Sequence, residues 1–396
     1  MQGGVGSAAA VAFVFGSSVL LAELVNGSEG GGHATTSGQG RAGRRAAAPT
    51  IGVVRERARA LRRRMIGLTA PRSGLGSRGR HWTAPAGLAL VAASVRWLVS
   101  HRRSPAVRSW RPGGGVRRVA GGLSVRTAGH GDRVLVLLHG LTASGDFFGA
   151  RYDQLADDRQ LVIPDLLGFG RSLDDRGDGY SLTAQLAALD RMAQELQLDG
   201  RPMTLAGHSF GGLLAVHWAA RRADVVRVVC FSAPLYAGAE EADARMAAMG
   251  PVERLFAPQG IVPKAICGLM CRQRAIAQWI AVALEPRWPV TITRMVVRHS
   301  WASYTGAMNS VIRPGGWEAS LGALEAAGVP VLLADGARDP VPVPGRASEL
   351  AARHRNIALA THAGAGHQLP ITHPGWCVEL LVSGPARSRR ADAGRA

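Results

Sequence analysis

A chain of 396 residues, 47% of them apolar, holds enough material for one large domain of roughly 250 to 300 residues plus an appendage, or for two smaller domains. Its formal charge of +19 would suit a nucleic-acid binder, but the charge sits at the ends. Residues 1–120 carry 19 Arg and 3 Glu, residues 385–396 carry a net +3, and residues 121–384 hold 24 basic and 24 acidic groups. The basic ends are rich in Gly and Ala, with few interleaved aromatics and no recognisable module, which argues against a nucleic-acid partner. Of the four cysteines, Cys267 and Cys271 stand one helical turn apart, but no second pair or His-x₃-His follows them. They read as buried thiols, and no metal or organic cofactor is expected.

In chain order, residues 1–115 form an Arg/Gly/Ala-rich extension. The apolar run 8–22 lacks a basic n-region and a clear cleavage site, so it is a poor signal peptide. Residues 27–80 show no apolar periodicity, the texture of disorder. Residues 85–100 are apolar but interrupted by Arg96, short of the ~18–20 uninterrupted apolar residues of a spanning helix. Two readings stay open for this stretch: a peripheral membrane contact, or a helix packed on the body. The expected location is cytoplasmic, with membrane association if the first reading holds.

From residue 116 the pattern changes. A strand pair over 116–127 turns at Gly121-Gly122, and strands follow at 134–138, 160–163, 203–206 and 225–231. Helical periods at 182–196 and 211–221 separate the later ones. This alternation predicts an α/β fold whose mostly parallel central sheet carries helices on both faces. Residues 237–325 show only helical texture, the mark of a helical cap inserted between strands. Strands resume at 330–334 and 357–361, the domain ends near 384, and 385–396 is a basic tail.

The chemistry-bearing residues lie just beyond those strands. Gly207-His208-Ser209-Phe210-Gly211 is a G-x-S-x-G between a strand and a helix. The serine needs a sharp, strained turn to expose its Oγ, and the glycines let that backbone pass close to its neighbours. The strand at 331–334 runs into Asp335 and Asp339, and the strand at 357–361 into Gly366-His367. Nucleophile, acid and histidine are therefore expected as Ser209, Asp339 and His367, in that chain order. Asp335 is the competing acid. His208 borders the site, while His217, His362 and His373 read as structural. His299, Trp301 and Tyr304 are cap residues that either line the pocket or pack within the cap.

Residues 116–384 resemble the α/β-hydrolase superfamily through five ordered motifs. These are His139-Gly140, the run from Asp165 to Ser172, the Ser209 elbow, Gly336-x-x-Asp339 and Gly366-His367. The resemblance implies the triad Ser209, Asp339 and His367, an oxyanion hole from the N–H groups of Leu141 and Phe210, and structural roles for Asp165 and Arg171. It implies a serine esterase acting on a small-molecule ester or related acyl substrate through an acyl-enzyme. Serine at position 209 disfavours haloalkane dehalogenases and epoxide hydrolases, which use aspartate there. Leu141 and Gln368 fit neither carbon–carbon bond hydrolases nor cofactor-free haloperoxidases well. The alternatives on the same triad are an acyltransferase and a perhydrolase or haloperoxidase-like enzyme. A non-catalytic binding protein is disfavoured because no triad member is missing.

Overall fold

The computed structural model describes residues 83–174, 179–249 and 260–383. The apolar run 8–22, the stretch 27–80 and the tail 385–396 lie outside them. The chain falls into two units; residues 83–96, the first part of helix α1 (Thr83–Arg103), are the described part of one, and residues 97–383 fall in the other.

The larger unit is built on an eight-stranded sheet of order β1-β2-β4-β3-β5-β6-β7-β8. Its strands are β1 (Val116–Ala120), β2 (Leu123–Ala128), β3 (Val134–Leu138), β4 (Gln160–Pro164), β5 (Met203–His208), β6 (Val225–Phe231), β7 (Val331–Gly336) and β8 (Ile357–His362). β1 pairs antiparallel with β2, and β2 with β4; all other pairings are parallel. β3 is apolar at all five positions because both of its faces are covered. Val134, Val136 and Leu138 enter one core, while Leu135 and Leu137 enter the other, following the two-residue period of a strand.

The first core is roofed by α2 (Leu182–Glu195) and α3 (Phe210–Ala219). All ten residues of α3 are buried, so it is apolar around its whole circumference rather than striped. The second core takes Phe148 and Tyr152 from 3₁₀ turns after β3, and Cys377 and Leu381 from the last helix, Pro374–Val382.

Between β6 and β7, in the stretch expected as a helical cap, lie the helices α4 (Ala239–Met249), α5 (Ile261–Arg272), α6 (Arg274–Leu284), α7 (Val290–Met295) and α8 (Trp301–Ala307). The next helix, α9 (Trp317–Ala326), shares their texture in sequence but places Trp317, Leu321 and Leu324 in the first core. It is the crossover into β7, a distinction that helical periodicity alone does not carry.

The body also begins before the first strand. Trp97 Nε1 donates to Val282 O (2.9 Å), His101 Nδ1 to Pro286 O (2.7 Å), and Ser104 Oγ to Arg287 O. Ala106 is buried in the second core, and Trp110 Nε1 donates to Asp146 O at 3.1 Å. These anchors are single side chains scattered among arginines and other residues, so they leave no periodic trace in the sequence.

Candidate active site

The centre of the site is the turn from β5 into α3. Ser209 adopts φ 52° and ψ −119°, a left-handed backbone conformation that a residue with a side chain holds only under strain. Its N–H donates to Phe231 O (2.8 Å), which ties the turn to β6. The flanking glycines are required by space: a Cβ on Gly207 would overlap the Gly211 carbonyl, and one on Gly211 would overlap the carbonyls of Leu138 and His139. Phe210 opens α3, so its N–H has no acceptor within the helix and points where negative charge is favoured.

The loops after β7 and β8 are stitched together by Ala337 N to His362 O and Arg338 N to Ala365 O, each 3.0 Å. This places His367 Nδ1 3.0 and 3.1 Å from the two carboxylate oxygens of Asp339. A carboxylate only accepts, so Nδ1 carries the proton and Nε2 is left with a free lone pair. Burial pushes the Asp339 pKa up, but the charge of and hydrogen bond from His367, with the Val341 N–H at 2.8 Å, outweigh it and hold the carboxyl below its ordinary value. Asp335, half-buried, is pushed up to about 7 by desolvation first and by the neighbouring Asp339 second. The two candidate acids thus separate: Asp339 is the partner of His367, and Asp335 lines a small cleft with Cys230, Leu333 and Arg346.

His208 links the Ser209 turn to the His367 loop. Its Nε2 lies 2.7 Å from the carbonyl of His367, and since a carbonyl only accepts, Nε2–H is the donor. The ring stacks on Phe147 at 4.7 Å between centroids and lies against Gly140, where a Cβ would approach Nδ1 to 2.8 Å. Desolvation, then the nearby His367, lowers its pKa to about 3, so it stays neutral. Sequence reasoning placed His208 only at the border of the site; its position next to Ser209 was the one available signal.

The loop after β3 is set by His139. Its buried ring accepts the Leu166 N–H at Nε2 (2.8 Å) and donates from Nδ1 to Gly140 O (2.8 Å), and burial keeps it neutral. Leu141 follows directly. Beneath it, buried Asp165 accepts from the N–H groups of Gly145 (2.7 Å) and Arg171 (2.8 Å). Arg117 and Arg171 both pair with Asp146, at 2.9 and 2.6 Å, closing a charged lattice under the loop.

The helical segment between β6 and β7 is fastened to the loop after β4 by reciprocal bonds between Gly170 and Arg298: Gly170 N to Arg298 O and Arg298 Nε to Gly170 O, each 2.9 Å. His299 is buried against Phe169, which in turn meets Phe210 edge-on at 6.0 Å. Trp301 and Tyr304 stack on each other at 5.8 Å and pack on a small core formed by α5, α6 and Val297. His217 bonds Ser320 Oγ (3.0 Å), and His362 faces His373 at 4.1 Å between rings; neither set reaches the Asp339 carboxylate. None of the four cysteines is in a disulfide, and no metal-binding cluster of His, Cys, Asp and Glu occurs among the described residues. No helix among them is long and apolar enough to cross a membrane.

Comparison with known proteins agrees with this architecture. The alpha/beta hydrolase family matches residues 135–380, well over half of the chain. The chain belongs to the alpha/beta hydrolase family. Among curated relatives, the probable lysophospholipase BODYGUARD 4 of Arabidopsis thaliana is 26% identical over 195 residues, 45% of this chain and 45% of that one. Lipase LipV of Mycobacterium tuberculosis is 36% identical over 105 residues, 26% of this chain and 38% of that one. The chain thus spans less than half the length of these relatives. Among solved structures, bromoperoxidase from Bacillus anthracis superposes with a TM-score of 0.51 at 18% identity, covering 67% of this chain and 98% of that one. E-2-(acetamidomethylene)succinate hydrolase gives 0.51 at 18%, covering 67% and 97%. At that identity the structures speak for the fold alone.

Proposed function

We propose that the chain is a serine hydrolase that cleaves a carboxylic ester or related acyl bond, with Ser209 as nucleophile, His367 as general base and Asp339 as its partner. The observation that carries the reading is the Asp339–His367 pair at 3.0–3.1 Å, whose loop accepts a hydrogen bond from His208, the residue beside a strained serine. Serine is a weak nucleophile until a base takes its proton. In the proposed reaction, Ser209 Oγ attacks the acyl carbon while its proton passes to His367 Nε2. The Asp339 carboxylate holds the Nδ1–H tautomer and stabilises the imidazolium without taking the proton itself.

The carbonyl oxygen becomes an anion, which the N–H groups of Leu141 and Phe210 would receive; one such donor contributes about 3 kcal/mol in comparable sites. The imidazolium then gives its proton to the departing alcohol, leaving an acyl-Ser209 ester. Water attacks that ester, with His367 as base again, and releases the acid. The curated relatives named as a lipase and a probable lysophospholipase support acyl esters as the substrate class. A series of p-nitrophenyl esters of graded acyl length, with product analysis by mass spectrometry, tests this. Hydrolysis with a defined length preference is expected; no turnover of any ester would overturn the reading.

A further inference from the structure

The cap carries a helix, α6, that turns an apolar face to solvent as well as to the protein. In α6 the inward face is Ala277, Gln278, Ala281 and Val282, all buried. Its outward face is Ala275, Ile276, Trp279, Ala283 and Leu284, with half-buried Ile280 beside them. These positions recur at helical spacing and include no polar residue. Ile276 is 57% exposed, Trp279 59% and Leu284 45%. A surface helix normally turns its charged face to solvent. The preceding helix α5 shares an inner core with α6 through Cys267, Met270, Ala277 and Ala281, and it exposes Ile261 (87%), Val262 and Leu269.

The charge around this face is one-sided. Residues 260–316 hold seven Lys and Arg but a single acidic residue, Glu285, although residues 121–384 as a whole are neutral. Lys264, Arg272 and Arg287 are exposed, and the Arg294 guanidinium lies over the Trp279 ring at 5.1 Å. An apolar plane with an indole and a basic rim matches the two demands of an anionic bilayer surface: side chains that enter the acyl boundary and cations that meet the headgroups. A second copy of the chain fits poorly, because a two-fold contact would set one basic rim against the other.

We infer that the outward faces of α5 and α6 are a membrane-docking surface for anionic lipid. This surface is separate from residues 85–100, for which the sequence left a peripheral membrane contact open as one of two readings. The cap leads inward through Arg298 and His299 to Gly170 and Phe169, and so to Phe210 beside Ser209. Docking through the cap therefore sets the proposed site next to a lipid surface. The inference does not depend on the ester reading, because binding is measured without turnover.

The test is co-sedimentation of the full chain with vesicles of phosphatidylcholine containing 30 mol% phosphatidylglycerol, and with phosphatidylcholine alone. Two variants accompany the wild type, Ile276→Ser/Trp279→Ser and Lys264→Glu/Arg272→Glu, all exposed positions whose folding is checked by thermal melting. The wild type should partition onto the anionic vesicles and lose binding as salt rises. The apolar variant should bind at least tenfold more weakly at every salt concentration, and the charge variant should bind weakly even at low salt. Unchanged partitioning of both variants would overturn the inference and leave membrane binding to another part of the chain. Absence of wild-type binding would overturn it as well. A shift of the apolar variant from dimer to monomer in size-exclusion chromatography, with no wild-type vesicle binding, would assign the face to self-association instead.

Discussion

The Nε2–H of His208 donates to the backbone carbonyl of His367 across 2.7 Å, joining the turn of the proposed nucleophile to the loop of the proposed base. The two residues are 159 positions apart, and β6 and β7 lie between their strands. The bond is a side-chain clamp on backbone, so it sets where the imidazole of His367 sits without touching the ring's own nitrogens.

Replacing His208 with Phe keeps an aromatic ring against Phe147 and removes the donor. We expect kcat to fall about 10- to 100-fold with KM little changed, since a displacement near 1 Å at a reacting group costs about that much. Steady-state kinetics on a soluble ester checks it. Full activity in this variant would reduce His208 to a packing residue.

The two acids should behave differently. Asp339→Asn should lower kcat by about 10⁴, because an amide cannot enforce the Nδ1–H tautomer. Asp335→Asn should change kcat far less, since Asp335 makes no bond to His367 and prefers its neutral form. The reverse order of the two losses would hand the acid role to Asp335.

Asp335 also gives a signed pH effect. Its folded pKa of about 7 lies above that of an unfolded carboxyl, so ionising it costs stability as pH rises from about 4 through 7. The asparagine variant should therefore gain stability over wild type at pH 8 and lose that gain at pH 4. Urea midpoints at the two pH values read it directly.

Buried neutral histidines act in the opposite sense. His208 and His299 have pKa values of about 3 and about 4, below the ~6.5 of an unfolded histidine. Their contribution is whole above pH 6.5 and is lost as pH falls toward 4, because only the unfolded chain takes up those protons. Each can cost up to about 1.4 kcal/mol per pH unit in that window. Replacing His299 with Gln should flatten the acid limb of the stability curve, and an unchanged slope would contradict the assignment.

Much of this was legible in the sequence, for definite reasons. The five strand-end motifs can be read locally, because β3, β4, β5, β7 and β8 are largely apolar runs with a Gly, Asp or His at or just beyond their ends. Ser209 could be placed because Gly207 and Gly211 leave a mark that only close backbone approach explains. The sequence favoured Asp339 over Asp335, but the distance that separates them, 3.0–3.1 Å from the Asp339 carboxylate to His367 Nδ1, is visible only in the coordinates. The Arg117–Asp146–Arg171 lattice and the anchors from Trp97 to Trp110 depend on contacts between distant single residues, which no local pattern encodes. The outward apolar face of α6 was hidden for another reason. A helical stripe shows its period in the sequence but not which side faces the protein.

The central claim, that Ser209 forms a covalent acyl intermediate with His367 as its base, is tested most directly by intact-protein mass spectrometry after treatment with a fluorophosphonate. The account predicts a single adduct that peptide mapping places on Ser209, absent in Ser209→Ala and strongly slowed in His367→Ala. Ester turnover should fall by on the order of 10⁴ to 10⁶ in Ser209→Ala, with its melting temperature preserved. An adduct on another residue, or near-native ester hydrolysis by Ser209→Ala, would contradict it.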